Sequence, residues 1–502
     1  MRGYEATKTS QKEPFQMKKS TADQRIQQLT LDLLPEKAIE VAFDGDDVSP
    51  NGGLLLVAQA EKLTGLLRGM VDRMDDRRTA SLVKHNLFEQ VAQRVFQIVA
   101  GFPASDDCDF LRDDPVLKTA VGRAPLSGAN LASQPTQSRL ETSRSFKELY
   151  RLCVWLVEYY IECHPKAPKR LVLDFDGSAI ETYGIQLNAF YRSGPYGKFM
   201  YFPLFVFDEN GWLLVAALRP GDQGEVELAL PVLKRLVKRL RAAWPTVEII
   251  IRADGAFTNN TLYKWMDENR VKYVLGIKHN NALLSKSKFC RKEANRKFNR
   301  KYGQPQHEGR KGKKERAKKI KEIRAIADCK KRMAEHKEFT GRYARSYGDF
   351  KYQAKSWDRE RRVIARCDRT DEGLDVRYIV TNIEKPVAKV VYEDLYCGRA
   401  TCEAWIKNIK QTKCERMSCR QFKSNFFRLL LHAFAYNLIY QVQLRLSERT
   451  SVAQFQRNFI HVAVHVEEWG DLVRFHIARS YHAAKAFRLA SRRLGAQTPQ
   501  AA

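Results

Sequence analysis

Between residues 170 and 278 the chain alternates apolar runs with amphipathic stretches, an order that few architectures accommodate. RLVLDFDGS (170–178) is a run of β-formers ending in acids and glycine. YFPLFVFDENGWLLVAALRPG (201–221) reads as two strands about an Asp-Glu-Asn-Gly turn, hence a hairpin. VELALPVLKRLVKRLRAAW (226–244) has helical spacing and VEIIIRADGAF (247–257) is a buried-type strand. NNTLYKWMDENR (259–270) is a helix, and VKYVLGIK (271–278) is a further strand. Strands without a polar face must be covered on both sides, so the order predicts one mixed sheet with helices on its faces.

The flanking segments differ in character. Residues 1–30 have no apolar core of their own and read as a flexible basic arm. Residues 31–165 read as mainly helical, with LFEQVAQRVFQIVAGF (87–102) and FKELYRLCVWLVEYYIECH (146–164) as the strongest helices. Between them, LASQPTQSRLE (131–141) offers Ser133 as a cap and Pro135 in the first turn. Its Thr136, Gln137, Ser138 and Arg139 would suit a DNA groove, although a capped surface helix is the plainer explanation. The sheet region divides into 166–279 and 383–446, separated by 280–382, and residues 447–502 read as helical and basic.

The separating segment begins with a charge run. Lys286 to Arg324 holds seventeen Lys or Arg against four Glu, which predicts a solvated helix or an unstructured arm. Lys311, Lys313, Lys314, Lys318 and Lys319 are its densest cations and candidates for backbone phosphates. Residues 340–382 then read as short strands. Over all 502 residues the formal net charge is +29 with 44% hydrophobic residues, so an ordered chain faces a polyanion, and nucleic acid is the best fit. No apolar run is long enough to cross a membrane. Ten scattered cysteines and an N-terminus without a signal-like run suit a reducing cytoplasm. Cys397, Cys402, Cys414 and Cys419 lack a CxxC pair, which argues against structural zinc.

Three acids stand out by position. Asp174 and Asp176 face the same way on one strand, and Asp176 is nearer its carboxyl end. Asp254 ends another strand and precedes glycine. Either residue alone would be a turn former, but in open α/β sheets reactive groups gather beyond the carboxyl ends of neighbouring strands. YCGRATCEAWIKNIK (396–410) places Tyr396, Arg399, Glu403 and Lys410 at steps of three, four and seven, on one face of a helix. A surface salt-bridge ladder is the plain reading of that stripe. If the helix crosses the strand ends, Glu403 becomes a third carboxylate, and three converging carboxylates need a hard cation such as Mg²⁺ or Mn²⁺. Two such ions suit in-line phosphoryl displacement.

Taken together, strand-DGS, strand-DG, an intervening segment and Y-(2)-R-(3)-E-(6)-K resemble the DDE transposases of bacterial insertion sequences. The four-residue signature matches at Tyr396, Arg399, Glu403 and Lys410, the first acid at Asp176 and the second at Asp254. LRPGDQGEVE and FKYQAKSWDRERRVIAR resemble the subgroup whose insertion is built of β-strands. The resemblance implies a multidomain α/β chain with a ribonuclease H-like mixed sheet, an inserted β-rich subdomain, a helical N-terminal DNA-binding region and a helical C-terminal region. It implies Asp176, Asp254 and Glu403 as the ligands of two Mg²⁺ ions, with Mn²⁺ as a substitute. Arg399, Lys410 and Tyr396 would hold DNA phosphates. The implied partners are double-stranded DNA with terminal inverted repeats, target DNA and a second copy of the chain in a paired-end complex. Cut-and-paste through a hairpin would need an aromatic side chain to hold an unstacked base. Trp357 is the candidate, Tyr352 its reserve, with Arg359, Arg361 and Arg362 for the adjoining phosphates. Trp357 fits equally the core of a small β domain. A ribonuclease H-like nuclease without strand transfer, or an inactive DNA-binding descendant, are the alternatives.

Overall fold

The computed structural model describes residues 29–34, 37–41, 47–193, 196–224, 226–305, 309–446 and 449–497. The basic arm expected over 1–30 lies outside these but for its last two positions. The apolar runs form β1 (Arg170–Gly177), β2 (Leu204–Asp208), β3 (Leu213–Ala217), β4 (Glu248–Ala253) and β5 (Lys272–Ile277). β1, β4 and β5 are parallel neighbours, and the β2–β3 hairpin lies antiparallel beside β1. Three longer strands follow from the intervening segment: β6 (Tyr343–Tyr352), β7 (Arg361–Thr370) and β8 (Gly373–Thr381). All eight belong to one sheet, in the order β6-β7-β8-β5-β4-β1-β2-β3.

That order corrects one expectation. The strands of 340–382 do not make a separate β-rich subdomain. β8 pairs antiparallel with β5 from Val274↔Thr381 to Ile277↔Tyr378, so the segment prolongs the central sheet. The physical reason is the edge of β5, whose backbone amides and carbonyls would otherwise be unpaired beside a buried core. The charge run ahead of these strands is helical where described. Lys288–Tyr302 seats Cys290, Ala294 and Phe298, four residues apart, as its buried stripe. Lys311, Lys314, Lys318 and Lys319 are exposed on the helix Gly309–Arg324, whereas the side chain of Lys313 lies outside the described positions.

One face of the sheet, carrying Leu171, Leu173, Ile249, Ile251 and Tyr273, joins the main core. Helices α1 (Leu87–Val99), α2 (Phe146–Glu162), α3 (Ala229–Ala243) and α4 (Phe422–Gln443) contribute to that same core. The opposite face, carrying Val172, Ile250, Val274 and Ile379, packs against Val391 and Tyr392. α4 is buried along almost its whole length. Its Asn437 donates to the carbonyl of Leu213 at 3.0 Å and accepts from the Leu213 amide at 3.4 Å, meeting backbone groups at the outer edge of β3. The N-terminal helices do not stand apart. Glu141, 1% exposed, accepts from Arg94 Nε at 2.9 Å and from Arg428 Nε of α4 at 2.6 Å, so one buried carboxylate ties the two regions together.

Both flanks contain strands where helices were expected. Leu29–Leu34 pairs with Lys37–Val41 near the N-terminus. In the last fifty residues, Val464–Trp469 and Leu472–Ile477 form a hairpin whose inner strand also pairs with Val48–Ser49. The local reason is an alternating pattern, VHVEE then LVRFHI, about Gly470, which has positive φ. Among the described residues no helix is long and apolar enough to cross a membrane.

His432 of α4 gives a pH-dependent consequence. It is 3% exposed and its Nδ1 lies 3.0 Å from Thr412 Oγ1. Burial, with Arg94 and Arg428 nearby, pushes its pKa down to about 3. An unfolded histidine titrates near 6.5, so between the two values the folded state binds fewer protons. Stability from this group is therefore full above the unfolded value and lost as pH falls below it, at up to about 1.4 kcal/mol per pH unit. Urea unfolding at pH 7, 6 and 5 should show that decline, and His432→Asn should flatten it. An unchanged slope in His432→Asn would assign the acid sensitivity elsewhere.

Candidate active site

Parallel pairing puts two of the acids at the carboxyl ends of two neighbouring central strands. Ala253 is level with Phe175, so Asp254, one residue past β4, stands beside Asp176 near the end of β1. Asp174 and Arg252 are also level and face the same side as these acids. Asp174 is fully buried and takes a two-pronged ion pair from Arg252, Nε to Oδ1 at 2.5 Å and Nη2 to Oδ2 at 2.6 Å. Burial pushes the Asp174 carboxyl up and the guanidinium pulls it back. Asp174 is thus committed to Arg252, while the side chain of Asp176 keeps 14% of its surface exposed and that of Asp254 keeps 39%. Asp254 also behaves as a turn residue, since its Oδ1 accepts from the Ala256 amide at 2.9 Å.

The segment carrying the four-residue signature is not one regular helix. Val391–Tyr396 is wound as π-helix and Cys397–Arg399 as 3₁₀, and the α-helix begins only at Ala400 and runs to Gln411. The change of winding is matched by two glycines. Arg252 Nη1 passes beneath Gly398 to donate to the Leu395 carbonyl at 2.8 Å, and a Cβ at Gly398 would meet that nitrogen at 2.3 Å. A Cβ at Gly276 of β5 would meet the Tyr396 hydroxyl at 2.5 Å. Burial pushes the Tyr396 phenol up, which keeps it a donor.

Winding in this way brings Arg399 among the acids. Its Nη2 lies 3.1 Å from Asp176 Oδ2 and 3.8 Å from Asp254 Oδ2, and its Nη1 lies 3.4 Å from Glu403 Oε1. The i,i+4 contact with Glu403 is the ladder pair expected on any helix surface, but the two strand-end acids are not part of a ladder. Burial opposes the charge on Arg399, yet Asp176 and Asp254 outweigh it and raise the guanidinium's pKa. Its buried Nε has no hydrogen-bond partner among the described residues. Three carboxylates therefore gather about one cationic centre, and the side chain of Glu403 is 58% exposed. The acids' ligand oxygens do not all lie within 4.8 Å of one another, so Arg399 rather than a closed donor set joins them here; drawn together, three carboxylates would suit Mg²⁺ or Mn²⁺ better than softer metals. Cys397, Cys402, Cys414 and Cys419 form no metal-ligand group among the described residues.

An open cleft of about 980 Å³ adjoins the acids. Asp254, Tyr396, Arg399 and Glu403 line it, together with Lys278, His279, Arg366 and Arg377 from β5, β7 and β8 and their ends. Those four basic or titratable residues escaped the sequence reading: Lys278 and His279 come to the cleft because β5 runs parallel beside β4, and Arg366 and Arg377 only because β8 pairs with β5. Lys410 lies at the other end of the helix, donating to the Ala179 carbonyl at 3.2 Å and pairing with Glu415 at 2.8 Å.

The other candidates are placed differently. Trp357 is half-buried, edge-on to Tyr263 and Tyr352 with ring centroids 5.5 Å away in each case. Tyr352 is itself buried and accepts from Asn280. Arg361 is buried and bridges Asp267, Asp358 and the Tyr273 hydroxyl. Arg359 pairs with the same Asp267. Arg362 pairs with Asp349 at 2.6 Å and donates to the Ile383 carbonyl at 2.6 Å. These arginines are engaged within the fold, because three strand ends meet there and leave carbonyls and carboxylates in need of donors. In the N-terminal helix Gln134–Thr142, Gln137 is fully buried against Gln90 and Gln93 rather than free for a groove, whereas Arg139 is exposed.

Residues 31–499 match the family model described as transposase DDE domain, group 1. No curated protein matches the chain in sequence. Among solved structures, the cryo-EM structure of the piggyBac transposase synaptic complex with hairpin DNA aligns at 11% identity and a TM-score of 0.38. That alignment covers 89% of this chain and 82% of the other. With the family model spanning nearly all of its length, the chain belongs to the DDE transposase domain family, group 1.

Proposed function

We propose that Asp176, Asp254 and Glu403 are the catalytic acids of an active DNA transposase of a bacterial insertion sequence. The observation that carries this reading is their convergence on Arg399 at the parallel-strand end of the sheet. Three parallel strands flanked by an antiparallel hairpin support a ribonuclease H-like core. The acids would hold two Mg²⁺ ions, with Mn²⁺ able to substitute. Such ions supply an activated oxygen nucleophile and stabilise the leaving oxygen of an in-line displacement. Arg399 would turn its Nε, without a partner among the described residues, to a phosphate. Tyr396, with its hydroxyl over Gly276, and Lys410 would hold the backbone on either side of the reacting bond.

The proposed substrate is double-stranded DNA ending in terminal inverted repeats, held by two copies of the chain. Hydrolysis of one phosphodiester yields a 3′-OH, which attacks either the opposite strand, closing a hairpin, or the target DNA. Exposed Lys311, Lys314, Lys318 and Lys319, with Lys313 beside them in sequence, and Arg139 in the N-terminal helices would supply sequence-independent affinity. The same reading places the protein with the nucleoid in the cytoplasm. The test incubates the protein with its cognate end DNA, a target plasmid and Mg²⁺. Nicked ends, hairpins and joined products support the proposal. Cleavage without joining selects the nuclease alternative, and binding without cleavage selects the inactive descendant.

Trp357 is the proposed aromatic for a flipped terminal base in the hairpin step. Trp357→Ala should then nick normally and close hairpins roughly 5- to 150-fold more slowly, since base stacking contributes on the order of 1–3 kcal/mol. A mismatched terminal pair should restore part of the loss. Normal hairpin closure, or unfolding of β6 and β7, would leave Trp357 as a packing residue for Tyr263 and Tyr352.

A further inference from the structure

Far along the chain from the carboxylates, the C-terminal hairpin carries a second set of metal-ligating side chains. His465 and Glu467 lie two apart on the strand Val464–Trp469, and His476 is directly opposite His465 on Leu472–Ile477. Period-two alternation puts all three on the outer face, while Val464 and Val466 are buried on the inner one. One ligand atom from each of the three lies within 4.8 Å of the other two. The imidazole rings are 5.6 Å apart at 30°, and His476 Nε2 is 2.9 Å from Glu467 Oε2. Among the described residues this is the only group of three or more such side chains so arranged.

Two features favour an ion over a chance cluster. First, Arg474 stands directly opposite Glu467 in the ladder and would be its natural partner. Instead its guanidinium lies over the Trp469 ring at 5.4 Å, and the carboxylate turns to His476. Second, the hairpin is held before any ion arrives. Six register pairs join its strands, the Val466 amide donates to the Asp47 carbonyl, and Glu468 accepts from the Leu126 and Ser127 amides. Ligands bonded to a tetrahedral ion at about 2.0–2.1 Å sit roughly 3.3 Å from one another, so small side-chain rotations suffice here.

We propose that His465, Glu467 and His476 form a binding site for one borderline divalent cation, of which Zn²⁺ is the representative. Two imidazoles and a carboxylate select Zn²⁺, Co²⁺ or Ni²⁺ over the hard Mg²⁺ that suits an all-carboxylate site. Three protein ligands leave a fourth position for water. The bound ion clips the two strands of the hairpin, and through the inner strand the segment Val48–Ser49.

The test uses the untagged full chain, stripped with chelator and kept in excess Mg²⁺ to occupy the carboxylate triad. Zn²⁺ is titrated against a chromophoric competitor, and Co²⁺ is followed by its visible absorption. The expected result is one Zn²⁺ per chain, with affinity reduced by roughly tenfold or more in His465→Ala and in His476→Gln. The Co²⁺ band should disappear in both. Zn²⁺ bound equally by wild type and variants would assign it to the cysteines and overturn the site, as would no Zn²⁺ binding by the wild type. His476 is at an exposed position, so His476→Gln keeps the fold and decides the matter if His465→Ala does not fold.

Discussion

Asp176→Ala, Asp254→Ala and Glu403→Ala are each expected to abolish Mg²⁺-dependent cleavage of end DNA while leaving binding to that DNA nearly unchanged. The three carboxylates already gather about a single positive group, Arg399, and removing any one leaves two to hold the charge of a divalent ion. Loss of charge stabilisation at a reacting phosphoryl group costs about 10²–10³-fold in rate or more. Affinity, by contrast, comes mainly from cations neutralising phosphates, and the chain carries 87 Lys and Arg. Denaturing gels of labelled end duplexes measure the first effect and mobility shifts the second. Cleavage near the wild-type rate by one of the variants would remove that residue from the triad.

Asp174→Ala should fail in the opposite way. Asp174 is fully buried and Arg252 is 4% exposed, so the substitution strands a guanidinium in the interior with, among the described residues, the Leu395 carbonyl as its remaining partner. Breaking a buried pair by deleting one member costs about 3–5 kcal/mol. The variant should unfold at much lower urea concentration, or accumulate as aggregate, where Asp176→Ala remains near the wild-type midpoint. Should Asp174→Ala keep its stability and lose only cleavage, Asp174 rather than Asp176 would be the first catalytic acid. The two residues share a strand face and differ by two positions, which makes the pair a sensitive discriminator between a folding role and a chemical one.

The strands and helices of 170–278 were legible because each buried strand is a short apolar run bounded by turn residues, and each helix has its own apolar stripe. The hairpin at the C-terminal end was also written in its alternation, VHVEE then LVRFHI, but two runs this short lie between stretches with helical spacing. The three later strands were legible as strands and not as part of the central sheet. Partner choice depends on which edge is free, and sequence periodicity carries no information about edges.

By itself the sequence determined where the candidate residues fall: Asp176 and Asp254 at strand ends, and Tyr396, Arg399, Glu403 and Lys410 at fixed spacing. A strand end is set within a few residues, whereas the π and 3₁₀ turns ahead of Ala400, which bring Arg399 to the acids, are not a property of helical periodicity. Tertiary structure alone decided that Asp174 belongs to Arg252 and Asp176 to Arg399. It decided equally that Trp357 stands edge-on to Tyr263 and Tyr352, and that Lys278 and Arg377 join the acid-lined cleft. Each of those outcomes turns on the register between strands distant in sequence, and a buried charge takes whichever opposite charge that register sets beside it.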